Sequence, residues 1–386
     1  MKSEQIRRRR SKMIVMDIKI DNFYAFKNFH MNMSYPKKIV NSFIKDEFLE
    51  GHSNFRYKKV NILMGANATG KTSFGKMLMS IFNFINKRSY KYICPSVANK
   101  EKKASFSIDF IVDSDILYRM ECCIFPHSNR DMSDEDIDVY VKSVNINRND
   151  SYESCAEKLN GILREETKRD YITQLEKIKD LHWYFEYPAD AYDNVIYMPL
   201  RNKNFEKILE NILKSLDPSI DSVKQSKDAS NACVIRMNDG KSIIIQNGEK
   251  LTTDMLSSGT KSGVAIACFI DRMIEGQNTF YYCDEKFSYI HSDLEKAILT
   301  ILIKAIKKRD QLFFTTHNPD ILDLLLPKHS FTFFKKDPDN SEMPIECISA
   351  SELLKRNTDS LRNAVENDLF STAPVIDLIY DIEELF

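Results

Sequence analysis

The residues with the clearest chemical meaning form a short loop, Gly65–Ser73. Gly65 is followed, after four residues, by Gly70-Lys71-Thr72. Glycines at this spacing let the backbone curl around a phosphate group because they have no Cβ. The apolar residues before the loop predict a strand, and those after it predict a helix whose first N–H groups favour an anion. The sequence therefore predicts a loop that binds the phosphates of a nucleotide.

Individual residues of this loop have distinct predicted roles. Lys71 would reach the β- and γ-phosphates, and the Thr72 hydroxyl would bind Mg²⁺. A chance match in an ordinary turn is the alternative, but the flanking strand and helix argue against it. We expect the nucleotide to contact Gly65, Ala66, Asn67, Ala68, Thr69, Gly70, Lys71, Thr72 and Ser73.

The second half of the chain contains three further groups of polar residues in informative places. Asp284-Glu285 and His317 each follow an apolar run that predicts a strand, and Ser257-Ser258-Gly259-Thr260 opens an apolar helix. Each group alone also fits a structural role, as a strand-end turn or a helix cap. The alternation of helices and strands predicts a parallel sheet, whose ligands lie beyond the carboxyl ends of its strands. That rule predicts that Gly65, Asp284 and His317 act on one ligand.

Length and composition indicate an ordinary globular protein. The 386 residues are 43% hydrophobic and 29% charged, enough for one large α/β domain or two domains. A formal net charge of −1 argues against a surface built entirely for nucleic acid. The eight cysteines form no Cys-x-x-Cys pair and suit free thiols in a reducing cytosol. With no signal peptide or membrane-spanning run, we expect a cytoplasmic protein that does not contact membranes.

Periodicity and turn residues predict the elements that must position these groups. The arginines Arg7–Arg10 fit either a disordered tail or an arm that contacts nucleic acid. Phe23 and Phe26 would either stack on an adenine ring or pack in the core. The pattern predicts strands at 13–20, 30–33, 104–112, 116–125, 194–199, 233–237 and 241–246, and helices at 205–216, 264–274 and 293–308.

The motifs, taken in this order, resemble those of ABC-type ATPases in the branch with SMC, RecF and the OLD-like proteins. His291 resembles the histidine that OLD-like and RecF-like relatives carry where transporters have an aspartate, although the proline usual after it is missing. The Q-loop glutamine has no clear counterpart, Arg201 and Asn202 being weak candidates. The matching segments are the first strand and its turn (Ile18–Phe26), Walker A (Gly65–Ser73), the signature motif (Leu256–Lys261), Walker B (Thr279–Glu285) and the switch histidine His317.

The resemblance implies a fold and a site. The expected fold is an α/β P-loop NTPase, an ABC-type ATPase head with an antiparallel β subdomain and a mainly helical insertion. The expected parts are a basic tail (1–12), the two halves of the head (13–125 and 246–350), the insertion or helical lobe (126–245) and a helical tail (351–386).

The resemblance also implies a mechanism with ATP and Mg²⁺ as cofactors. Asp284 would hold Mg²⁺ together with Thr72, Glu285 would activate the attacking water, and His317 would contact the γ-phosphate beside Lys71. The signature residues Ser257, Ser258, Gly259 and Thr260 would contact ATP held by another subunit. The expected assembly is a homodimer or higher oligomer joined through ATP-bridged heads.

What the ATPase would drive is less constrained by the sequence. Similar stand-alone ATPases in bacterial anti-phage defence predict a nucleotide-dependent switch or sensor that controls a separate effector, a nuclease or a toxin. The segment after Phe334 is shorter than a typical domain of about 100 residues, which predicts that no nuclease domain is appended. The alternative is a RecF-like DNA-repair ATPase, which leaves nucleic-acid binding open. A transporter subunit is disfavoured because Ser258-Gly259-Thr260 replaces the usual Gly-Gly-Gln.

Overall fold

A computed structural model describes most of the chain. The basic segment 1–12, with Arg7–Arg10, lies outside the described residues, as do residues 194–196 of the strand predicted at 194–199. The described residues 197–199 are not in a strand, so that part of the prediction is wrong. The described residues are 13–40, 42–112, 115–126, 131–164, 170–187, 197–200, 202–226, 231–249, 256–276, 279–356, 358–372 and 377–385.

Strands and helices alternate along this part of the chain, which confirms the predicted α/β class. The strands are β1 (Met13–Asp21), β2 (Phe29–Asn32), β3 (Phe48–Leu49), β4 (His52–Arg56), β5 (Val60–Met64), β6 (Ala104–Val112), β7 (Ile116–Ile124), β8 (Ile137–Asn145), β9 (Trp183–Glu186), β10 (Ile220–Gln225), β11 (Ala232–Met237), β12 (Ser242–Gln246), β13 (Phe280–Asp284), β14 (Gln311–Thr315), β15 (Phe331–Lys336) and β16 (Ile345–Ser349). The α-helices are α1 (Lys71–Lys87), α2 (Tyr152–Asn160), α3 (Tyr171–Leu175), α4 (Phe205–Leu216), α5 (Ser258–Glu275), α6 (Ser292–Ala305), α7 (Ala350–Leu353), α8 (Leu361–Glu366) and α9 (Asp377–Tyr380).

These elements fold into two compact units. The central unit comprises the described residues of His182–Leu324, and the flanking unit comprises those up to Leu181 together with those from Leu325 onward. In the flanking unit, β2, β1, β6, β7 and β8 form an antiparallel sheet in that order. Separately, β15 pairs with β5 in parallel and with β16 in antiparallel fashion.

The central unit combines a parallel and an antiparallel group of strands. Strand β13 pairs in parallel with β14 on one side and with β9 on the other. Strands β10, β11 and β12 form an antiparallel sheet. Helices α4 and α5 share a buried apolar cluster with this sheet, in which Leu213, Ile235 and Val264 are all inaccessible to solvent. All five residues of β13 and all five of β14 are buried, so the side chains at the ends of these two strands rest on a rigid base.

The expectation of a mainly helical stretch at 126–245 is wrong. It contains the strands β8 to β12 as well as the helices α2 to α4. In β8, the buried residues Ile137, Val139 and Val141 alternate with more exposed ones, a period of two that is typical of a strand. This strand pairs with β7 in antiparallel fashion. The boundary between the two units along the chain, between Leu181 and His182, also falls inside that stretch. The five-part division of the chain itself stays a prediction.

Candidate functional site

The predicted phosphate-binding loop connects β5 to α1 in the flanking unit. All five residues of β5 are buried. Gly65 has φ 146°, and a Cβ built there would lie 2.3 Å from the carbonyl oxygen of Phe334 in β15. Gly70 has φ 102° and immediately precedes the first residue of α1. Both conformations disfavour any residue with a side chain, so the two glycines are required by the backbone path.

The loop encloses its own lysine. The side chain of Lys71 is buried, and its Nζ donates to the carbonyl oxygens of Gly65 at 2.9 Å and Ala66 at 3.0 Å. The Thr69 hydroxyl also donates to the Ala66 carbonyl, at 2.9 Å. A buried ammonium needs such oxygen partners, and phosphate oxygens are chemically equivalent replacements. The loop therefore holds a positive charge beside the N-terminus of α1.

The aromatic residues before this loop pack in the core rather than on an open surface. Phe23 and Phe26 are each at most 1% exposed. The Phe26 ring lies 4.7 Å from that of Phe29, which in turn lies 5.8 Å from Phe74 of α1. Of the two alternatives for Phe23 and Phe26, core packing is the one observed.

In the central unit, one threonine hydroxyl fixes both predicted acidic residues. Asp284 is fully buried at the end of β13 and lies opposite Thr315 of β14 in the parallel register. Thr315 Oγ1 donates to Asp284 Oδ1 at 2.7 Å and accepts from the backbone N–H of Glu285 at 2.8 Å. This hydroxyl therefore sets the carboxylate of Asp284 and the path of the next residue at the same time.

Glu285 and His317 form a close pair. The Glu285 carboxylate oxygen Oε1 lies 2.7 Å from His317 Nε2, which acts as the donor. Both side chains keep partial exposure, 22% and 34%, so water can reach them. Glu285 adopts φ 42°, a left-handed conformation that costs a residue with a Cβ about 1–2 kcal/mol. Such strain at a carboxylate beside an imidazole is typical of a functional position.

A cavity of about 300 Å³ lies beside this pair. Glu295 of α6 lies at its edge and is only 4% exposed. Its two carboxylate oxygens accept from Thr316 Oγ1 at 2.6 Å and from Asn318 Nδ2 at 2.7 Å. Burial raises the pKa of the Glu295 carboxyl, and these two hydrogen bonds oppose that rise. The cavity is lined by Glu285, Phe287, Ser288, Ile290, Ser292, Glu295, Thr315, Thr316, His317 and Asn318.

The predicted signature residues begin α5. The Ser257 hydroxyl caps the helix by accepting from the Thr260 N–H at 3.0 Å, while Ser257 and Ser258 remain exposed. A Cβ at Gly259 would lie 3.1 Å from the carbonyl oxygen of Tyr289, so the absence of a side chain allows a close approach. The helix thus presents accessible hydroxyl and N–H groups, which suits binding of an anion.

The remaining motif residues have mainly structural contacts. His291 caps α6 by accepting from the Asp293 N–H at 3.2 Å, and its side chain is 73% exposed. Asn202 donates to Asp271 and Glu275 of α5, so its side chain is bound to that helix. Arg201 lies outside the described residues. The contacts of Asn202 give it no visible role at the Glu285–His317 pair.

The donors of the predicted magnesium site suit that ion. Asp284 offers a carboxylate and Thr72 a half-buried hydroxyl, both of them hard oxygen ligands. In the part of the chain that the structure describes, no three His, Cys, Asp or Glu side chains are grouped to hold a metal. In nucleotide sites, magnesium is bound through one or two carboxylates, with phosphate oxygens and water as its other ligands.

The structure brings Asp284, Glu285 and His317 together in the central unit, while Gly65–Ser73 and Lys71 belong to the flanking unit. The sequence alone did not predict a role for Thr315 or Glu295. The sequence feature that could have indicated Thr315 is its position two residues before the predicted site residue His317. Glu295 has no such feature, because it resembles any acidic residue in the first turn of a helix.

Comparison with known proteins gives distant structural similarities only. No family model and no curated protein sequence matches the chain. It is similar to an SMC head bound to the C-terminal winged-helix domain of ScpA, with 14% identity, TM-score 0.47 and coverage of 89% of this chain and 99% of that one. It is also similar to the SMC head domain of Thermotoga maritima, with 12% identity, TM-score 0.41 and coverage of 87% of this chain and 98% of that one. A third similarity is to the recombination mediator protein RecF with ATP, with 13% identity, TM-score 0.40 and coverage of 84% of this chain and 97% of that one. At this distance the similarity by itself assigns no activity to the chain. Within the described residues, no helix has the length and apolarity needed to cross a membrane.

Proposed function

We propose that this protein binds and hydrolyses ATP as an ABC-type ATPase. The observation that carries the proposal is the hydrogen-bonded group Asp284–Thr315–Glu285–His317 at the carboxyl ends of two parallel strands. The same chain contains a complete Gly-x4-Gly-Lys-Thr loop closed around Lys71. A buried acid, a strained and accessible glutamate, an imidazole and a phosphate-binding loop are the parts that phosphoryl transfer to water needs.

In this mechanism, the loop and Lys71 bind the phosphates by exchanging carbonyl partners for phosphate oxygens. Asp284 and Thr72 are the residues that would hold Mg²⁺, and that ion would neutralise negative charge on the phosphates. Glu285 orients a water and accepts its proton. His317 steadies the Glu285 carboxylate in the resting pair and donates to the γ-phosphate during reaction.

We also propose that two chains share each ATP. Ser257, which is exposed, and Gly259, which is half-buried, offer polar groups at the start of α5 for the γ-phosphate of a nucleotide held by a second copy. Closing two heads on ATP and reopening them after hydrolysis would make the protein a switch. The partner controlled by that switch would be a separate effector, a nuclease or toxin, and the setting would be anti-phage defence.

The C-terminal tail would be covered either by an ATPase head, its own or that of a second copy, or by this effector. Ile379, Tyr380 and Ile382 are 48–65% exposed in this short helical segment. Apolar side chains this exposed on so short a helix gain stability when a partner covers them.

The experiment that tests the proposed activity is phosphate release from ATP by the purified protein and two variants. Lys71→Ala removes the only ammonium that the loop encloses and should abolish ATP binding. Glu285→Gln keeps the size of the side chain, so ATP should still bind while hydrolysis falls by roughly two orders of magnitude or more. An equal loss of ATP binding in both variants would show that Glu285 is structural.

A further inference from the structure

Glu295 occupies an unusual position behind the Glu285–His317 pair. It lies in the first turn of α6 and is almost fully buried, and it is a carboxylate that neither the phosphate-binding loop nor the proposed water activation uses. Its oxygens accept from Thr316 Oγ1 at 2.6 Å and from Asn318 Nδ2 at 2.7 Å. These are the residues immediately before and after His317. One carboxylate therefore holds both neighbours of the histidine.

The contacts of the neighbours close this arrangement. Thr316 Oγ1, while donating to Glu295, accepts from the backbone N–H of Asn318 at 2.9 Å. Asn318 Nδ2 also lies 3.1 Å from the hydroxyl of Ser292, the first residue of α6. The turn at 316–318 is thus bound to α6 by side chains, although turns of this kind are usually free to move. Within this turn, Thr316 and Asn318 bind Glu295, whereas the side chain of His317 contacts Glu285.

We infer that Glu295 is a positioning residue for His317: by gripping Thr316 and Asn318, it sets the distance between the imidazole and Glu285. This inference rests on the proposed ATPase function and adds a residue that acts through His317 rather than on the nucleotide. A glutamine at this position keeps the volume but presents an NH₂ group. Asn318 Nδ2 can only donate, so the new NH₂ must face the Thr316 hydroxyl, which then has to accept instead of donate. Two hydrogen bonds to a charged carboxylate are replaced by weaker neutral ones, and the turn loosens.

A double-mutant cycle on ATP hydrolysis separates positioning from a general structural role. The proteins compared are wild type, Glu295→Gln, His317→Ala and the double variant. We expect Glu295→Gln alone to lower kcat about 10-fold or more, with the KM for ATP changed less than about 2-fold. In the His317→Ala background the same change should lower kcat less than about 2-fold, because the residue it positions is absent. Equal losses in both backgrounds, or no loss at all, would overturn the inference.

The matched control is Asp293→Asn, which removes a carboxylate from the same turn of α6. Asp293 is 73% exposed, and its carboxylate pairs with Lys296 of the same helix at 2.9 Å. This variant should retain the wild-type kcat. A loss of kcat as large as that of Glu295→Gln would overturn the inference, since charge in the first turn would then be the cause.

Amide hydrogen exchange without nucleotide gives a readout that does not depend on activity. In Glu295→Gln the amides of 316–318 should exchange at least about 10-fold faster than in wild type, while those of β13 keep their rates. Unchanged exchange at 316–318 would overturn the positioning role. If the wild type hydrolyses no ATP, the proposed function fails, but the exchange result still decides whether Glu295 orders the turn.

Discussion

Replacing Gly65 by alanine tests the loop at the position with the tightest contact. The added Cβ would lie 2.3 Å from the Phe334 carbonyl oxygen, whereas ordinary contacts begin at 3.4 Å. That oxygen belongs to β15, which is paired with β5, so a shift of about 1 Å must be taken up by packed backbone. Alanine also tolerates φ 146° poorly. We expect a loss of unfolding free energy of about 3 kcal/mol and no measurable ATP binding.

Gly51→Ala is the matched control for this substitution. Gly51 lies in the same unit with φ 86°, and an added Cβ would meet nothing within 4 Å. The Gly51→Ala variant should lose only about 1 kcal/mol of unfolding free energy, the conformational cost of a left-handed alanine, and should bind ATP normally. Urea unfolding and titration with a fluorescent ATP analogue measure both variants. The reasoning is refuted if the two variants lose equal stability or if Gly65→Ala binds ATP with wild-type affinity.

Three further predictions concern subunit contacts, the tail and pH. Ser257→Arg should bind ATP but not turn it over, and mixing it with Lys71→Ala should restore at most one working site per dimer; normal turnover by Ser257→Arg alone would exclude a shared site. Deleting 375–386 should preserve ATP hydrolysis but release any protein that co-purifies from the native cells, whereas lost hydrolysis would place the tail in the core. Asp271 is buried, and its Oδ2 has no partner among the described residues; burial, with Glu275 nearby, raises the pKa of Asp271 to about 6. Because this pKa lies above that of the unfolded chain, the unfolding free energy of the wild type should rise as pH falls from 7 to 5. Asp271→Asn should flatten that rise and increase the unfolding free energy by about 1 kcal/mol at pH 7.5, as measured by urea unfolding. An unchanged pH slope in this variant would contradict the prediction.

Local patterns in the sequence predicted several of the strands and helices. The strands predicted at 13–20, 30–33, 233–237 and 241–246 match β1, β2, β11 and β12 to within a residue, and the helix at 205–216 matches α4. The helix predicted at 293–308 begins at Ser292 but ends earlier, at Ala305. Apolar periodicity determines these elements because one face of each must be buried, so neighbouring residues contain the necessary information.

The parts of the site that were missed depend on contacts between distant residues. The role of Thr315 follows from the register of β13 against β14, which places it opposite Asp284. The role of Glu295 follows from the packing of α6 beside the 316–318 turn. Neither register nor packing is encoded in a local spacing. In the tail expected to be helical at 351–386, the described residues 377–385 form only the short helix α9 followed by a 3₁₀ turn.

The most direct test of the central claim is to identify the nucleotide retained by each protein after incubation with ATP and Mg²⁺ and rapid removal of free nucleotide. Wild type should retain ADP or no nucleotide, Glu285→Gln should retain intact ATP close to one per chain, and Lys71→Ala should retain none. Intact ATP on the wild type and on Glu285→Gln alike, or no nucleotide on either, would contradict an ATPase whose water is activated by Glu285.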